Sequence, residues 1–328
     1  MKKIIRTFIL ACATLLLVAC GKTNKGNKIN IVTSIYPIYD WTLNVVGNND
    51  NITITLLQDS GADLHNYQPT VADIAKVSSS DLFVYVGGES DEWVEDALKT
   101  KVNKDMIAIN LLEELGDKAK EEELVEGMEG EEHDHEEGED HDHEHEEGEV
   151  EYDEHVWLSL KNAQIFVEKI KDAVVKLDKA NASLYENNAK KYIDELKALD
   201  AKYADAVSKA TVKTLLFGDR FPFRYLVDDY GLKYYAAFIG CSSETEASFE
   251  TIVFLSGKVN ELGLKVIMKI ESSDGSIANT IKNNTTAKNQ KILTLNSLQS
   301  STLADHKKGN TYLKIMTDNL NVLKEALS

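Results

Sequence analysis

The sequence predicts an α/β fold of two lobes, each a mostly four-stranded parallel sheet with flanking helices, joined by one long helix. Three observations carry this. Short apolar strands alternate with helical segments from residue 28 to residue 110. The same alternation restarts at residue 213 and runs to the end of the chain. Between them, residues 182–210 place apolar side chains every three or four positions with no internal Gly or Pro.

Lys28 to Ser34 reads as the first strand, and Pro37 suits the first turn of a helix running to Val46. Asn51 to Gln58 alternates with period two and is the second strand. Thr70 to Val77 is a short helix, Asp81 to Val86 a strand, Asp91 to Leu98 a helix and Met106 to Asn110 the fourth strand. After an acidic stretch, Asn162 to Leu177 has a helical apolar period. The long helix follows, with Tyr185, Ala189, Tyr192, Leu196, Leu199, Tyr203 and Val207 along one face. The second lobe reads as four strands, 213–218, 233–239, 265–270 and 291–296. Its helices are 221–229, 249–262, 277–283 and 311–327. The predicted boundaries are a signal segment at 1–19, a tether at 20–28, a first lobe at 29–180 with an acidic His-rich loop at 119–152, a linking helix at 181–210 and a second lobe at 211–328. A ligand cleft is expected between the lobes.

Met1 to Arg6 is a basic leader and Thr7 to Val18 an apolar stretch too short to span a bilayer. Leu17-Val18-Ala19-Cys20-Gly21 looks like a bacterial lipobox, in which Cys20 becomes a lipidated first residue. An ordinary secretory peptide with an incidental cysteine is the plainer alternative. Acyl chains on Cys20 would hold the protein at a membrane surface without crossing it. With Cys12 leaving in the signal, Cys241 is the remaining thiol, so no internal disulfide is expected. The expected product is a monomeric body outside the cytoplasmic membrane.

The net charge of −19 is misleading. Residues 121–154 hold 20 Asp and Glu and no Lys or Arg, and taking those charges away leaves +1. The acidity is one local insert that repels itself and builds no core. A basic surface for nucleic acid is absent. The insert also holds His133, His135, His141, His143 and His145, and His155 follows before the apolar Val156-Trp157-Leu158. Imidazole beside carboxylate is the chemistry of zinc and its first-row neighbours. The five histidines of the run lack a scaffold and suit weak, interchangeable capture. A solvated acidic spacer is the alternative.

In parallel α/β sheets ligands gather beyond the carboxyl ends of strands. His65 follows the second strand, Asp219 the strand 213–218 and Glu271 the strand 265–270, while His155 opens the segment after the insert. Two imidazoles and two carboxylates are a four-coordinate set for zinc. Each has a plainer explanation: His65 in a turn, His155 as a core histidine, Asp219 paired with Arg220 or Arg224, Glu271 as a helix cap.

Gly61 to Thr70 (GADLHNYQPT), Asp153 to Leu160 (DEHVWLSL) and the His-rich insert between them resemble the metal-receptor lipoproteins of bacterial zinc and manganese ABC importers, particularly the zinc branch. The resemblance implies a binding protein, not an enzyme, that carries Zn²⁺ (or Mn²⁺) to an importer permease, with His65 and His155 as ligands. Leu64 stands where the family usually has Pro, and Glu154 and Ser159-Leu160 also depart from it. The family usually places a His, sometimes a Glu, before the helix ending in Tyr-Gly-Leu. Counting back from Tyr230-Gly231-Leu232, that column holds Arg220, which cannot ligate a metal. Asp219 is the nearest substitute and Cys241 the other candidate. For the acidic fourth ligand, Glu271 is expected, with Asp274 as the fallback. Three further classes are weighed against the zinc receptor: a manganese receptor of the same family, a surface adhesin or metal buffer, and a secreted zinc hydrolase. The last lacks an HExxH or HxxEH motif.

Overall fold

A computed structural model describes residues 28–129, 151–242 and 246–328. The expected signal, Cys20 and the five insert histidines lie outside the described residues. No helix among the described residues is long and apolar enough to cross a membrane.

The first sheet is built from β1 (Ile29–Thr33), β2 (Ile52–Leu56), β3 (Leu82–Tyr85) and β4 (Ile107–Asn110), all parallel, in the order β2-β1-β3-β4. The second uses β5 (Thr214–Phe221), β6 (Lys233–Ile239), β7 (Val266–Lys269) and β8 (Lys291–Thr294), also parallel, in the corresponding order β6-β5-β7-β8. Two sheets of one topology therefore come from sequences with no visible repeat. The linking helix spans Ala182–Lys209. Its buried stripe, from Tyr185 to Val207, packs against the helices Leu160–Leu177, Tyr36–Val46 and Tyr312–Ala326. Apolar residues of both lobes, including Trp41, Phe166, Tyr203, Phe217 and Tyr312, join in one hydrophobic cluster. The lobes thus share a core across the helix.

Two differences from the sequence reading bear on function. The strand expected to end at Gly218 continues to Phe221 through an irregularity between Phe217 and Arg220. A Cβ at Gly218 would lie 2.5 Å from the Ala278 backbone, so this bend needs glycine. The acidic loop also begins in ordered structure. Glu121 bridges Tyr152, and the Asp153 amide donates to the Lys120 carbonyl at 2.8 Å. Glu129 then adds to the edge of β6 at Phe238. The insert is anchored at its base on both lobes.

The eighth histidine, His306, ties the lobes together. Its Nδ1 lies 3.3 Å from Asp40 Oδ1 and 3.1 Å from the Tyr36 hydroxyl. The hydrogen bond to fully buried Asp40 raises the imidazole pKa above its usual 6.5, outweighing desolvation. A raised pKa stabilises the fold below the unfolded value and loses that contribution as pH rises through the folded one. The melting-temperature gap between wild type and His306→Gln is therefore expected to be larger near about pH 6 than near about pH 8. A gap that is constant or grows with pH would contradict this.

Candidate metal centre

His65 sits in a single 3₁₀ turn, Leu64–Asn66, with Asp63 at its N-cap. The Asp63 Oδ1 accepts the His65 amide at 3.1 Å, and its other oxygen pairs with Arg220. Arg220 also donates to the Ser242 carbonyl at 3.3 Å. One guanidinium thus clamps the His65 turn of the first lobe to the Cys241–Ser242 loop of the second. His155 precedes a second 3₁₀ turn, Val156–Leu158, which is wholly buried.

The two imidazoles face each other, with Nε2 atoms 3.2 Å apart. Nitrogens each about 2.05 Å from one tetrahedral zinc would be about 3.3 Å apart, so the observed separation suits a shared ion. The outer nitrogens are held by partners. His155 Nδ1 lies 3.0 Å from Asp153 Oδ1, which also accepts the His155 amide at 2.8 Å. His65 Nδ1 lies 2.9 Å from Ser90 Oγ and 3.6 Å from Glu154 Oε2. The Asp153 carboxylate on His155 Nδ1 and the Ser90 hydroxyl on His65 Nδ1 suit the tautomers that carry the proton on Nδ1, in which both Nε2 lone pairs face the gap.

The electrostatics favour a cation supplied from outside. Burial, then the neighbouring His155 and Arg220, depress the His65 pKa to about 2, so His65 stays neutral. Burial pushes His155 the same way, but Asp153 outweighs it and the net direction is upward. Burial raises Glu154 to about 7 although its Oε1 accepts the Ser90 amide at 2.8 Å. Burial and the nearby Glu122, Asp153 and Glu154 hold the Cys241 thiol well above its usual range.

Cys241 is the third member of the group. Donor atoms of His65, His155 and Cys241 all lie within 4.8 Å of one another, the one such His, Cys, Asp or Glu group among the described residues. Gly240 makes this approach possible, since a Cβ there would meet the His155 ring at 3.0 Å. The other expected ligands are engaged elsewhere. Asp219 is inside β5, where its carboxylate accepts the Arg220 amide at 2.9 Å and the Ile270 amide at 3.2 Å. Glu271 holds the loop after β8, accepting the Ser297 amide at 2.7 Å. Asp274 is exposed and accepts the Ser276 amide at 2.8 Å, ahead of the helix Ser276–Asn284. Gln299 also reaches the two imidazoles, its Nε2 lying 2.7 Å from His155 Nε2 and 3.3 Å from His65 Nε2. Gln299 is neither charged nor an imidazole, so residue type alone does not mark it. Its position just beyond the carboxyl end of β8 was the available signal.

Beside the centre opens a cavity of about 950 Å³ whose lining includes Glu89, Glu92, Glu113, Glu122, Glu154 and Cys241 and, among the described residues, no Lys or Arg. The base of the insert, Glu121 and Glu151, lines it too. Carboxylates therefore surround the approach to Cys241.

A family model described as the periplasmic zinc-uptake complex component A, ZnuA, matches residues 31–326. The chain belongs to the ZnuA family. It is 34% identical over 327 residues to the high-affinity zinc uptake system protein ZnuA of Bacillus subtilis, covering 98% of this chain and 96% of that one. It is 35% identical over 326 residues to the zinc-binding lipoprotein AdcA of Streptococcus pneumoniae, covering 99% of this chain. The match covers 61% of AdcA, so the chain spans about three fifths of that relative's length. The crystal structure of the Zn(II)-bound ZnuA-like domain of S. pneumoniae AdcA superposes with a TM-score of 0.70 at 31% identity, covering 92% of this chain and 99% of that one. ZnuA-family membership and the shared fold agree with the paired sheets and the long linking helix described above.

Proposed function

We propose that this chain is an extracytoplasmic zinc receptor that delivers Zn²⁺ to the permease of an ABC importer. The observation that carries the reading is the convergence of the His65 and His155 Nε2 atoms, 3.2 Å apart and both aimed inward, in a family whose matched relatives are named for zinc uptake. Cys241 supplies the third donor, its thiol losing its proton as zinc binds. The loop 119–152 is a collector, its acidic base drawing cations toward the cavity beside Cys241. Lipid on Cys20 anchors a monomer to the membrane surface.

The receptor catalyses no reaction in this reading. A zinc hydrolase needs an open coordination position and a general base. Here Asp153 and Glu154 hold imidazoles or backbone, and Asp63 is paired with Arg220. Zinc is preferred to manganese because the three converging donors are two nitrogens and a sulfur, whereas manganese prefers oxygen.

Competition titration against a chromophoric chelator tests this. The protein is expected to hold one tight zinc equivalent, unchanged by equimolar manganese, and to keep it when residues 130–150 are deleted. Loss of tight binding on that deletion would move the function to the insert and refute the cleft site.

A further inference from the structure

A guanidinium stands beside the converging imidazoles, where a cation is the last thing a zinc site needs. Arg220 lies near the end of β5, just past the irregularity between Phe217 and Arg220. The Asp219 carboxylate pins that bend by accepting the Arg220 and Ile270 amides. From there the Arg220 side chain donates to Asp63 Oδ2 of the first lobe and to the Ser242 carbonyl of the second. The side chains of Arg220 and Asp63 are 13% and 9% exposed, so water and salt screen the pair poorly. Both charges are felt at the imidazoles. After burial and His155, Arg220 depresses the His65 pKa, and Asp63, behind Asp153 and Glu154, raises that of His155 against burial.

We propose that Arg220 sets the zinc affinity of the cleft by withholding the Asp63 carboxylate from the ion, a role that rests on the receptor reading above. Asp63 is two residues from His65, and its Oδ1 already accepts the His65 amide. A carboxylate left free at that point would be drawn to a bound dication. Arginine does not give up its proton in a protein, so its hold on Asp63 lasts as long as the carboxylate is ionised. The pair is neutral as a unit and adds no net charge to the site. It also joins the His65 turn to the Cys241–Ser242 loop independently of the ion.

Neutrality gives the proposal a sign. Removing the guanidinium leaves an uncompensated carboxylate near the ion, and removing the carboxylate leaves an uncompensated guanidinium. The first should tighten zinc and the second should loosen it. A clasp that merely braced the fold would weaken zinc alike whichever half was lost. The lobes have other ties, since they share a hydrophobic cluster and His306 lies 3.3 Å from Asp40. Losing the clasp therefore leaves them joined, and the effect falls on the ion. A receptor must give up its cargo as well as capture it. An Asp63 held by Arg220 keeps the cleft from binding zinc too tightly to release.

The test is a zinc competition titration, with zinc release to excess chelator and thermal melts, on wild type, Arg220→Gln, Asp63→Asn, the double variant and Arg220→Lys. Arg220→Gln is expected to bind zinc on the order of tenfold more tightly and to release it more slowly. Asp63→Asn keeps a side-chain oxygen to cap the His65 turn and is expected to bind on the order of tenfold more weakly. The double variant, neutral again, should return to within about threefold of wild type. Arg220→Lys keeps the cation without the planar fork and should titrate close to wild type. Parallel weakening in both single variants, with no recovery in the double, would overturn the proposal while the receptor reading stands. Should Arg220→Gln fail to fold, Asp63→Asn decides alone: zinc affinity unchanged or raised in it overturns the proposal. A wild type that holds no tight zinc would overturn the receptor reading and this role with it.

Discussion

His155→Ala is expected to lose tight zinc binding by a factor of ~10² or more. Zinc sites with four protein ligands yield roughly 10–16 kcal/mol, so one ligand is worth about 3 kcal/mol, and each 1.4 kcal/mol is tenfold in affinity. His155 should lie at or above that share for two reasons. Its ring is fully buried, with Nδ1 on Asp153 and Nε2 toward His65, so no ordering of the side chain is left to the binding step. Removing it also leaves the buried Asp153 carboxylate without its ring partner. His65→Ala is expected to follow the same course by a smaller margin, because water can reach the gap in that more open turn. Chelator competition on both variants, with melts to show that they remain folded, decides the matter. Full zinc affinity in His155→Ala would refute the cleft site.

The proposed zinc site rests on two loops, and the sequence made those loops easier to read than their surroundings. Strands betray themselves by short apolar runs and the long helix by its apolar spacing, so both sheets and the linking helix were legible. His65 and His155 stood out because a motif surrounded each. The remaining contacts depend on where a side chain turns, which residue type does not reveal. Asp219 has ligand chemistry, but the bend in β5 commits its carboxylate to two backbone amides. Glu271 is likewise committed to the Ser297 loop. Cys241 was in view only as an alternative, since its approach depends on the bare backbone of Gly240. Gln299 carries no charge to attract notice and reaches the imidazoles because Leu298 adopts a left-handed conformation. Arg220 was visible as a break in the family pattern. Its purpose, pairing with Asp63 across the lobes, needed the fold.

Trp157→Ala is expected to be the most destabilising single change near the site. Trp157 is fully buried, packs against His155 with ring centroids 5.2 Å apart, and donates its indole N–H to the Ser297 carbonyl at 2.8 Å. Its own carbonyl accepts the Tyr312 hydroxyl at 2.7 Å, joining the turn to the last helix. Truncating a buried tryptophan costs about 3–5 kcal/mol, a large part of the roughly 5–15 kcal/mol that holds a typical domain. The expected fall in melting temperature is roughly 10 °C. A fall below about 3 °C would mean that the cavity collapses and that Trp157 does not brace the core. Trp157→Phe separates packing from positioning. It keeps most of the ring volume and leaves the Ser297 carbonyl unpaired, a cost of about 1–3 kcal/mol. Ser297 is the residue to which the Gln299 amide is bonded, so the damage should reach the metal. Zinc bound to the native state raises the melting temperature in proportion to its affinity. That zinc-dependent increment should shrink in Trp157→Phe. It should stay intact in a variant that destabilises the core equally far from the loop, such as Val259→Ala, a buried position on the helix Phe249–Leu262. Equal increments in the two variants would show that the indole N–H braces the fold without tuning the site.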